Sequence, residues 1–384
     1  MRGLRSLLER ESRAVSYQDV FGSGRDWTAP QGYRALDALG LPAVVGCVRH
    51  RANVVRQLRP VSFRYDADGF SEPVPAQPSL LVNPSPTVKR SIWRGQLMIS
   101  RDLWGNAFGA ILARDAALYP KMVDWLSPTI VATRQDFVNG PVFYTVNGRP
   151  FPAEDMLLVP SDLNLPGSPL GMAPLQHAGL VELGRRAQEF GADWFRNGAV
   201  PSSIIYSDDP DLTPEDAEEI RNRVTGAWRN RRPGVLGSGL KLEHVQVQKN
   251  ESQFNETINA VGLQVCQVFG VSPEEIGLAA TGSSITYANR TDAKQASLDR
   301  MNGDLELLRD VLTDALPRPQ FVDFDTSVYL RGDTRGTYEA NEIAIRSGQL
   351  TPDEARRDMN RRPLPAGYTP PTSSPTTSPG APNA

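Results

Sequence analysis

A chain of 384 residues can build two or three hydrophobic cores, and 40% hydrophobic with 22% charged residues is the balance of a folded globular protein. A formal net charge of −3 speaks against a strong sequence-independent grip on duplex DNA, which a basic surface would supply. Two cysteines without a CxxC pair, Cys47 and Cys266, exclude a disulfide framework and a thiolate zinc site, and the three histidines, His50, His177 and His244, form no HExxH.

Residues 1–40 read as a Gly-containing arm. Charges interrupt its short apolar run, "MRGLRSLLERESR", so no signal peptide is expected. No uncharged apolar run approaches the ~18 residues of a membrane span. After Pro42, "AVVGCVRHRANVVRQL" predicts a helix whose stripe is Val44, Val45, Cys47, Val48, Val54, Val55 and Leu58. "PVSFRY" predicts a strand running into the turn "DADG". "TVKRSIWRGQLMISRDLWGNAFGAIL" predicts a second helix, and "FVNGPVFYTVNGRPF" carries two Asn-Gly hairpin signals.

"LPGSPLG" (165–171) marks a break. The helix expected from Pro174 to Asn197 would be roughly 36 Å long. It carries Leu180, Leu183, Ala187, Phe190 and Trp194 at steps of 3 and 4, a seam for another helix. A second seam, Phe254, Ile258, Val261, Val265 and Val268, lies on "NESQFNETINAVGLQVCQVFG", whose other face bears Asn255, Asn259, Gln264 and Gln267. Between them sits a β-α-β insert. It consists of strand "SSIIYS", a helix capped by Thr213 with Pro214 and Asp216 behind it, and strand "GLKLEHVQVQ" with a register break expected near Glu243-His244.

Ser272 and Glu275 read as a capping box ahead of the small-residue loop Ala279, Ala280, Thr281, Gly282, Ser283 and Ser284. A long helix follows, polar from Tyr287 to Gln295 and then striped by Leu298, Met301, Leu305, Leu308 and Leu312, so that it spans two environments. Strand "PQFVDFDTSVYL" and two short helices, the second capped by Thr351 with Glu354, close the fold. The segment from Pro363 to Ala384 has the Pro/Ser/Thr composition of a disordered tail.

Several motifs invite chemistry. Gly277 and Gly282 have P-loop spacing, but Ser283 stands where the phosphate-binding lysine belongs, and a capped turn precedes the motif where a strand should. No G-x-S-x-G elbow exists. "SDDPD" (207–211) precedes a helix start, where the macrodipole already favours acids. In the insert, Asp208, Asp209, Asp211, Glu215, Asp216, Glu218 and Glu219 precede Arg221, Arg223, Arg229, Arg231, Arg232 and Lys241. This order fits either dipole complementarity with helical ion pairs or a two-signed surface for a partner. "WRNRRPG" (228–234) suits a nucleic-acid contact and equally a helix C-terminus. No catalytic residue, metal site or cofactor is assigned.

The ordered set of stretches resembles the portal proteins of tailed bacteriophages, of the siphophage type, over roughly residues 30–365. It rests on "PAVVGCVRHRANVVRQLRPVSFRY", "LLVNPSPT" with "WGNAFGAILARD", "GSPLGMAPLQHA", "FRNGAVPSSIIY", "VCQVFGVSPEEIGL" with "TYANRTDAKQ", and "GQLTPDEARRDMNRRPLPAG". The chain departs from the family's pattern at Leu158-Val159-Pro160, where a His is frequent, and at the position of Pro273.

The resemblance implies an α+β portal fold: a mixed wing, a two-helix stem, a small β-α-β clip, a long kinked helix and a short helical crown. Its segments are an arm at 1–40, wing at 41–171, stem helices at 172–199 and 249–270, and clip at 200–248. The tunnel-loop region is 271–286, the long helix and wing strand 287–332, the crown 333–362 and the tail 363–384. It further implies a homo-oligomeric ring, usually of twelve subunits, at one capsid vertex of a virion assembled in the bacterial cytoplasm. Double-stranded DNA would pass through it. Partners would be the terminase large subunit, the major capsid protein and a head–tail adaptor, with no membrane. On this reading the 279–284 loop borders the channel, the Asn255, Asn259, Gln264 and Gln267 face suits the channel wall, and Arg229, Arg231 and Arg232 offer a clip surface. Two other readings are weighed: an adaptor ring, against which length and the insert argue, and an enzyme using the degenerate P-loop, which a nucleotide titration would reveal.

Overall fold

The computed structural model describes residues 35–137, 140–176, 178–196, 203–207, 213–229, 240–244, 250–278, 290–330, 334–359 and 361–365. In chain order the elements begin with α1 (Ala35–Ala38), α2 (Pro42–Gln57), β1 (Arg59–Tyr65), β2 (Ser71–Pro73), α3 (Ser79–Val82) and α4 (Arg90–Trp104). Then come β3 (Asn106–Arg114), β4 (Pro120–Leu126), β5 (Val131–Gln135), β6 (Val142–Val146), β7 (Arg149–Phe151) and β8 (Met156–Pro160). The second half holds α5 (Leu180–Arg196), β9 (Ser203–Ser207), α6 (Pro214–Arg229), β10 (Leu240–His244) and α7 (Asn250–Phe269). It continues with α8 (Arg290–Arg300), α9 (Asn302–Asp314), β11 (Phe321–Asp325), α10 (Ser327–Leu330), α11 (Thr334–Arg346) and α12 (Pro352–Asp358). The architecture is α+β, with every described strand pair antiparallel. The chain falls into two compact units that meet in sequence at Tyr329 and Leu330.

In the first unit, helix α2 starts at Pro42, whose fixed φ and missing N–H suit the first helical position. Its buried stripe is Val44, Cys47, Val48, Val54 and Val55. Val45, expected with them, is exposed, because it sits between two stripe positions. Its first half, Val44, Cys47 and Val48, packs into a core with Leu41, Leu103, Leu175, Leu180, Val261, Val265 and Phe269, which joins α2, α4, α5 and α7. β11 pairs with β1 in antiparallel register, Arg59 opposite Asp325 and Phe63 opposite Phe321, so a strand from the end of the unit completes a sheet begun at its start.

The helix predicted over "TVKRSIWRGQLMISRDLWGNAFGAIL" is shorter than expected. It stops at Trp104, and Gly105 takes the left-handed conformation (φ +77°) at its C-cap. A Cβ there would also lie 2.5 Å from the Gly171 carbonyl, so both backbone angle and space require glycine. Beyond it, "NAFGAIL" runs as the central strand of the β4-β3-β8 sheet. The Asn147-Gly148 hairpin forms as predicted, with both residues at positive φ between β6 and β7. The other signal, at Asn139, lies outside the described residues. Phe108, Tyr144, Met156 and Leu170 clamp this three-stranded sheet onto β3 and β8.

Helix α5 also begins later than predicted, at Leu180 rather than Pro174, since residues 174–176 form turns and Gly179 has φ +63°. At 17 residues it is ~26 Å long. In the insert, β9 and β10 pair without a register shift through His244 opposite Ser203, so the break expected at Glu243-His244 does not occur there. Thr213 caps α6: its Oγ1 accepts from the Asp216 N–H at 3.3 Å.

α8 and α9 meet at Met301, which leaves the helical region (φ −93°, ψ 3°) and divides the long helix in two. The predicted stripe Leu298, Met301, Leu305, Leu308 and Leu312 is buried throughout. In the second unit, the Thr351–Glu354 capping box that opens α12 is present in both directions.

Candidate channel and assembly surfaces

Four helices of the first unit converge on a charge cluster that sequence patterning did not single out. Arg51 from α2 donates through Nε to Asp102 Oδ1 at 3.0 Å, through Nη1 to the Phe269 carbonyl at 2.9 Å, and through Nη2 to Asp304 Oδ2 at 2.5 Å. Arg101 Nη2 stands 2.8 Å from Asp304 Oδ1, and its Nε donates to the Pro160 carbonyl. All four side chains are buried. Two guanidiniums and two carboxylates balance in charge, which is the condition for burying them together.

Burial pushes the Asp102 carboxyl up to about 6, against the pull of Arg51 and Arg101. Burial works against both arginines. For Arg51 the carboxylates Asp102 and Asp304 more than offset it, so its pKa is raised, whereas Arg101 is held below its ordinary value. The cluster ties the last carbonyl of α7 to α2, α4 and α9, and so fixes where α7 ends and the next turn begins.

That turn is the root of the small-residue loop. Ser272 and Glu275 form the predicted capping box around a 3-10 turn, Pro273–Ile276. Glu275 also accepts from Arg300 at 3.1 Å and lies 3.5 Å from His50 Nε2, which itself is 3.0 Å from Ser297 Oγ. Burial holds His50 below its ordinary pKa, a pull that Glu275 opposes. Ile276 seats against Gly46 and Leu278 against Gly262: Cβ atoms at those glycines would lie 3.0 Å from Ile276 and 3.1 Å from Leu278. The loop therefore leaves a firmly seated turn. Ala279, Ala280, Thr281, Gly282, Ser283 and Ser284 themselves lie outside the described residues.

The seam predicted on α5 is corrected. Leu180 is buried, but Leu183 is 47% and Phe190 52% exposed. Small residues face the interior instead: Gly184 and Gly191 are buried, and a Cβ on Gly184 would lie 2.7 Å from Leu41 and 3.3 Å from Val261. On α7, Val261 and Val265 are buried as predicted, with Cys266 and Phe269 beside them, while Val268 is exposed. Cys266 Sγ lies 3.9 Å from Cys47 Sγ, so the chain's two cysteines meet across α2 and α7. Asn255, Asn259, Gln264 and Gln267 are all exposed. By helical spacing, Gln264 and Gln267 lie on the side of α7 away from Val261, Val265 and Phe269.

On α6, Arg221 pairs with Glu218 and Arg223 with Glu219 at exposed i, i+3 and i, i+4 positions, which accounts for that part of the insert's charge order by local pairing. Arg229 ends the helix, its side chain outside the description, and Arg231 and Arg232 lie outside the described residues. Among the described residues no helix is long and apolar enough to cross a membrane.

Comparisons with known proteins identify the class. The sequence model of the phage portal protein family matches residues 42–360. The probable portal protein of Streptomyces phage phiC31 is 27% identical over 364 residues, covering 86% of this chain and 77% of that one. The fold matches an HK97-family phage portal protein from Corynebacterium diphtheriae with a TM-score of 0.59 at 16% identity, over 78% of this chain and 98% of the other. It also matches a chain from the neck of a native gene transfer agent particle, computed with C12 symmetry, with a TM-score of 0.56 at 21% identity, over 90% and 98% of the two chains. The chain belongs to the phage portal protein family.

Proposed function

We propose that this portal protein assembles with copies of itself into a ring at one capsid vertex, and that the ring guides double-stranded DNA inward during packaging and outward to the tail. The observation that carries this reading is the family match across residues 42–360. The geometry adds two supports. Leu183 and Phe190 give α5 an apolar stripe that the described residues leave open, as a contact with a neighbouring copy requires. α7 presents Asn255, Asn259, Gln264 and Gln267 to solvent beside the exposed Glu256 and Leu263, a surface without a cation that a passing duplex can slide over without a fixed phosphate grip.

On this reading the 279–284 loop borders the channel, rooted by the turn around Glu275. The Arg229, Arg231 and Arg232 region meets the terminase large subunit and later a head–tail adaptor, and the outer surface meets the major capsid protein. The protein itself carries out no reaction; the partner motor hydrolyses the nucleotide. Electron microscopy of the purified protein tests the proposal. Annular particles with a central opening are expected, and a compact monomer under all assembly conditions would overturn it.

A further inference from the structure

The chain's two cysteines stand where a covalent bond between them can form. Cys47 lies on α2 and Cys266 on α7, 219 residues apart in sequence, and both thiols are free. Both are buried in the core that joins those helices, and Cys47 Sγ donates to Cys266 Sγ at 3.9 Å. One turn earlier on each helix stand Ala43 and Gly262, and a Cβ on Gly262 would lie 3.8 Å from the Ala43 Cβ. A disulfide asks the same of its own Cβ atoms, about 3.5–4.5 Å. Each cysteine follows its neighbour by four residues, so the two helices run the same way past each other and bring the thiols into the next place in line. To reach a bond of about 2.05 Å each sulfur has to move by roughly 1 Å, within the reach of side-chain rotation.

We infer that Cys47 and Cys266 are a modification site: an intrachain disulfide that closes after the protein has left the reducing cytoplasm and staples α7 to α2. In that step two S–H bonds break and one S–S bond forms. Two electrons and two protons pass to dissolved dioxygen, which leaves as hydrogen peroxide. Dioxygen is small and apolar, so a core that excludes charged oxidants admits it. Burial raises the pKa of both thiols, and the attacking thiolate is therefore scarce. Closure is correspondingly slow, which suits a bond made once and not a switch that cycles. The same burial then shields the bond from reductants. The placement of the bond rests on the helix packing alone. Its timing rests on the reading of the protein as part of a released particle, whose surroundings are oxidising.

The position of the staple gives it a consequence. Gly46, beside Cys47, seats Ile276, and Phe269, one turn beyond Cys266, gives its carbonyl to Arg51. The bond therefore adds a covalent tie at the end of α7, where the turn that roots the 279–284 loop departs. By joining residues 219 apart it also removes conformational freedom from the unfolded chain, which raises stability.

The test compares the full chain kept under reductant without oxygen with the same protein held in air-saturated buffer. Free thiols are counted by alkylation in denaturant and intact mass, and the link is located by non-reducing digestion. The reduced protein is expected to take up alkyl groups on both cysteines and the aerated protein on neither, with a crosslinked peptide pair holding Cys47 and Cys266. The aerated wild type should also unfold at a higher urea concentration than the reduced, a rise that reductant in the urea removes and that Cys47→Ala never shows. Both thiols still free after days in air, bonds between chains in place of the internal one, or a lower urea midpoint on oxidation would each overturn the proposal. The measurement is made on the purified chain, so it succeeds or fails independently of ring formation.

Discussion

At the scale of single residues, the buried quartet of Arg51, Arg101, Asp102 and Asp304 is the least replaceable feature of the chain. Removing one partner strands an opposite charge without water. Asp304→Ala is therefore expected to destabilise the protein by about 3–5 kcal/mol in urea melts. The exposed Asp299→Ala on the neighbouring α8 should stay within about 0.5 kcal/mol. Asp102 adds a pH signature. Its folded value of about 6 lies above the ordinary 3.8, so the folded state holds its proton more tightly than the unfolded state does. The stabilisation this supplies is complete below about pH 4 and lost as pH rises through about 6, on the order of 3 kcal/mol in all. Asp102→Asn removes that component. Compared in urea melts from pH 4 to 7, the wild type should lose stability relative to the variant as pH rises through this window. A constant difference across it would show that Asp102 is ionised throughout.

At the scale of elements, α5 carries the sharpest expectation. Gly184 lets the helix approach Leu41 and Val261, so Gly184→Val should force α5 away from the core and lower stability by roughly 1–3 kcal/mol. Phe190→Glu should do the opposite: leave the subunit's stability unchanged and abolish ring formation, read by mass photometry and electron microscopy. If rings persist, the open stripe on α5 is not the contact between copies. This helix also shows how far the sequence could be read. The 3-4 spacing of Leu180, Leu183, Ala187 and Phe190 correctly marks an apolar stripe, but spacing cannot tell an intrachain partner from another copy, and the contact inside the subunit runs through glycines that carry no apolar signal.

The missing quartet has a similar cause. Val44, Val48, Arg51, Val55 and Leu58 step by 4, 3, 4 and 3, so Arg51 occupies a core slot of its helix. An arginine at such a slot was a readable sign of a buried pair, whereas its partners, 51 and 253 residues away, were not. Strand β3 looks helical in the sequence because a short Ala/Ile/Leu run carries no period of its own, and Gly105 is the boundary. Capping boxes, the Asn147-Gly148 hairpin and the Leu298–Leu312 stripe, all set by local chemistry, were fully legible.

At the scale of the whole molecule, the portal reading turns on what a ring does to a weak local interaction. A single neutral loop contributes almost nothing to DNA affinity, yet every copy in a ring would present its loop to the same duplex, so any charge placed there is multiplied by the number of subunits. The turn at Ser272–Leu278 is held by the capping box, by Arg300 and by the seats on Gly46 and Gly262, so side-chain changes beyond it should leave the fold in place. Ser283→Lys with Ser284→Lys would then add two phosphate contacts per subunit wherever the loop faces DNA. Each contact steepens the fall of log affinity with log salt by about 0.9. The double variant is expected to form normal rings that retain linear duplex at low salt, release it as salt rises, and slow its translocation by the partner motor. Rings that form normally, yet bind and pass DNA as the wild type does at every salt concentration, would place the 279–284 loop away from the duplex and leave the amide face of α7 as the surface to charge next.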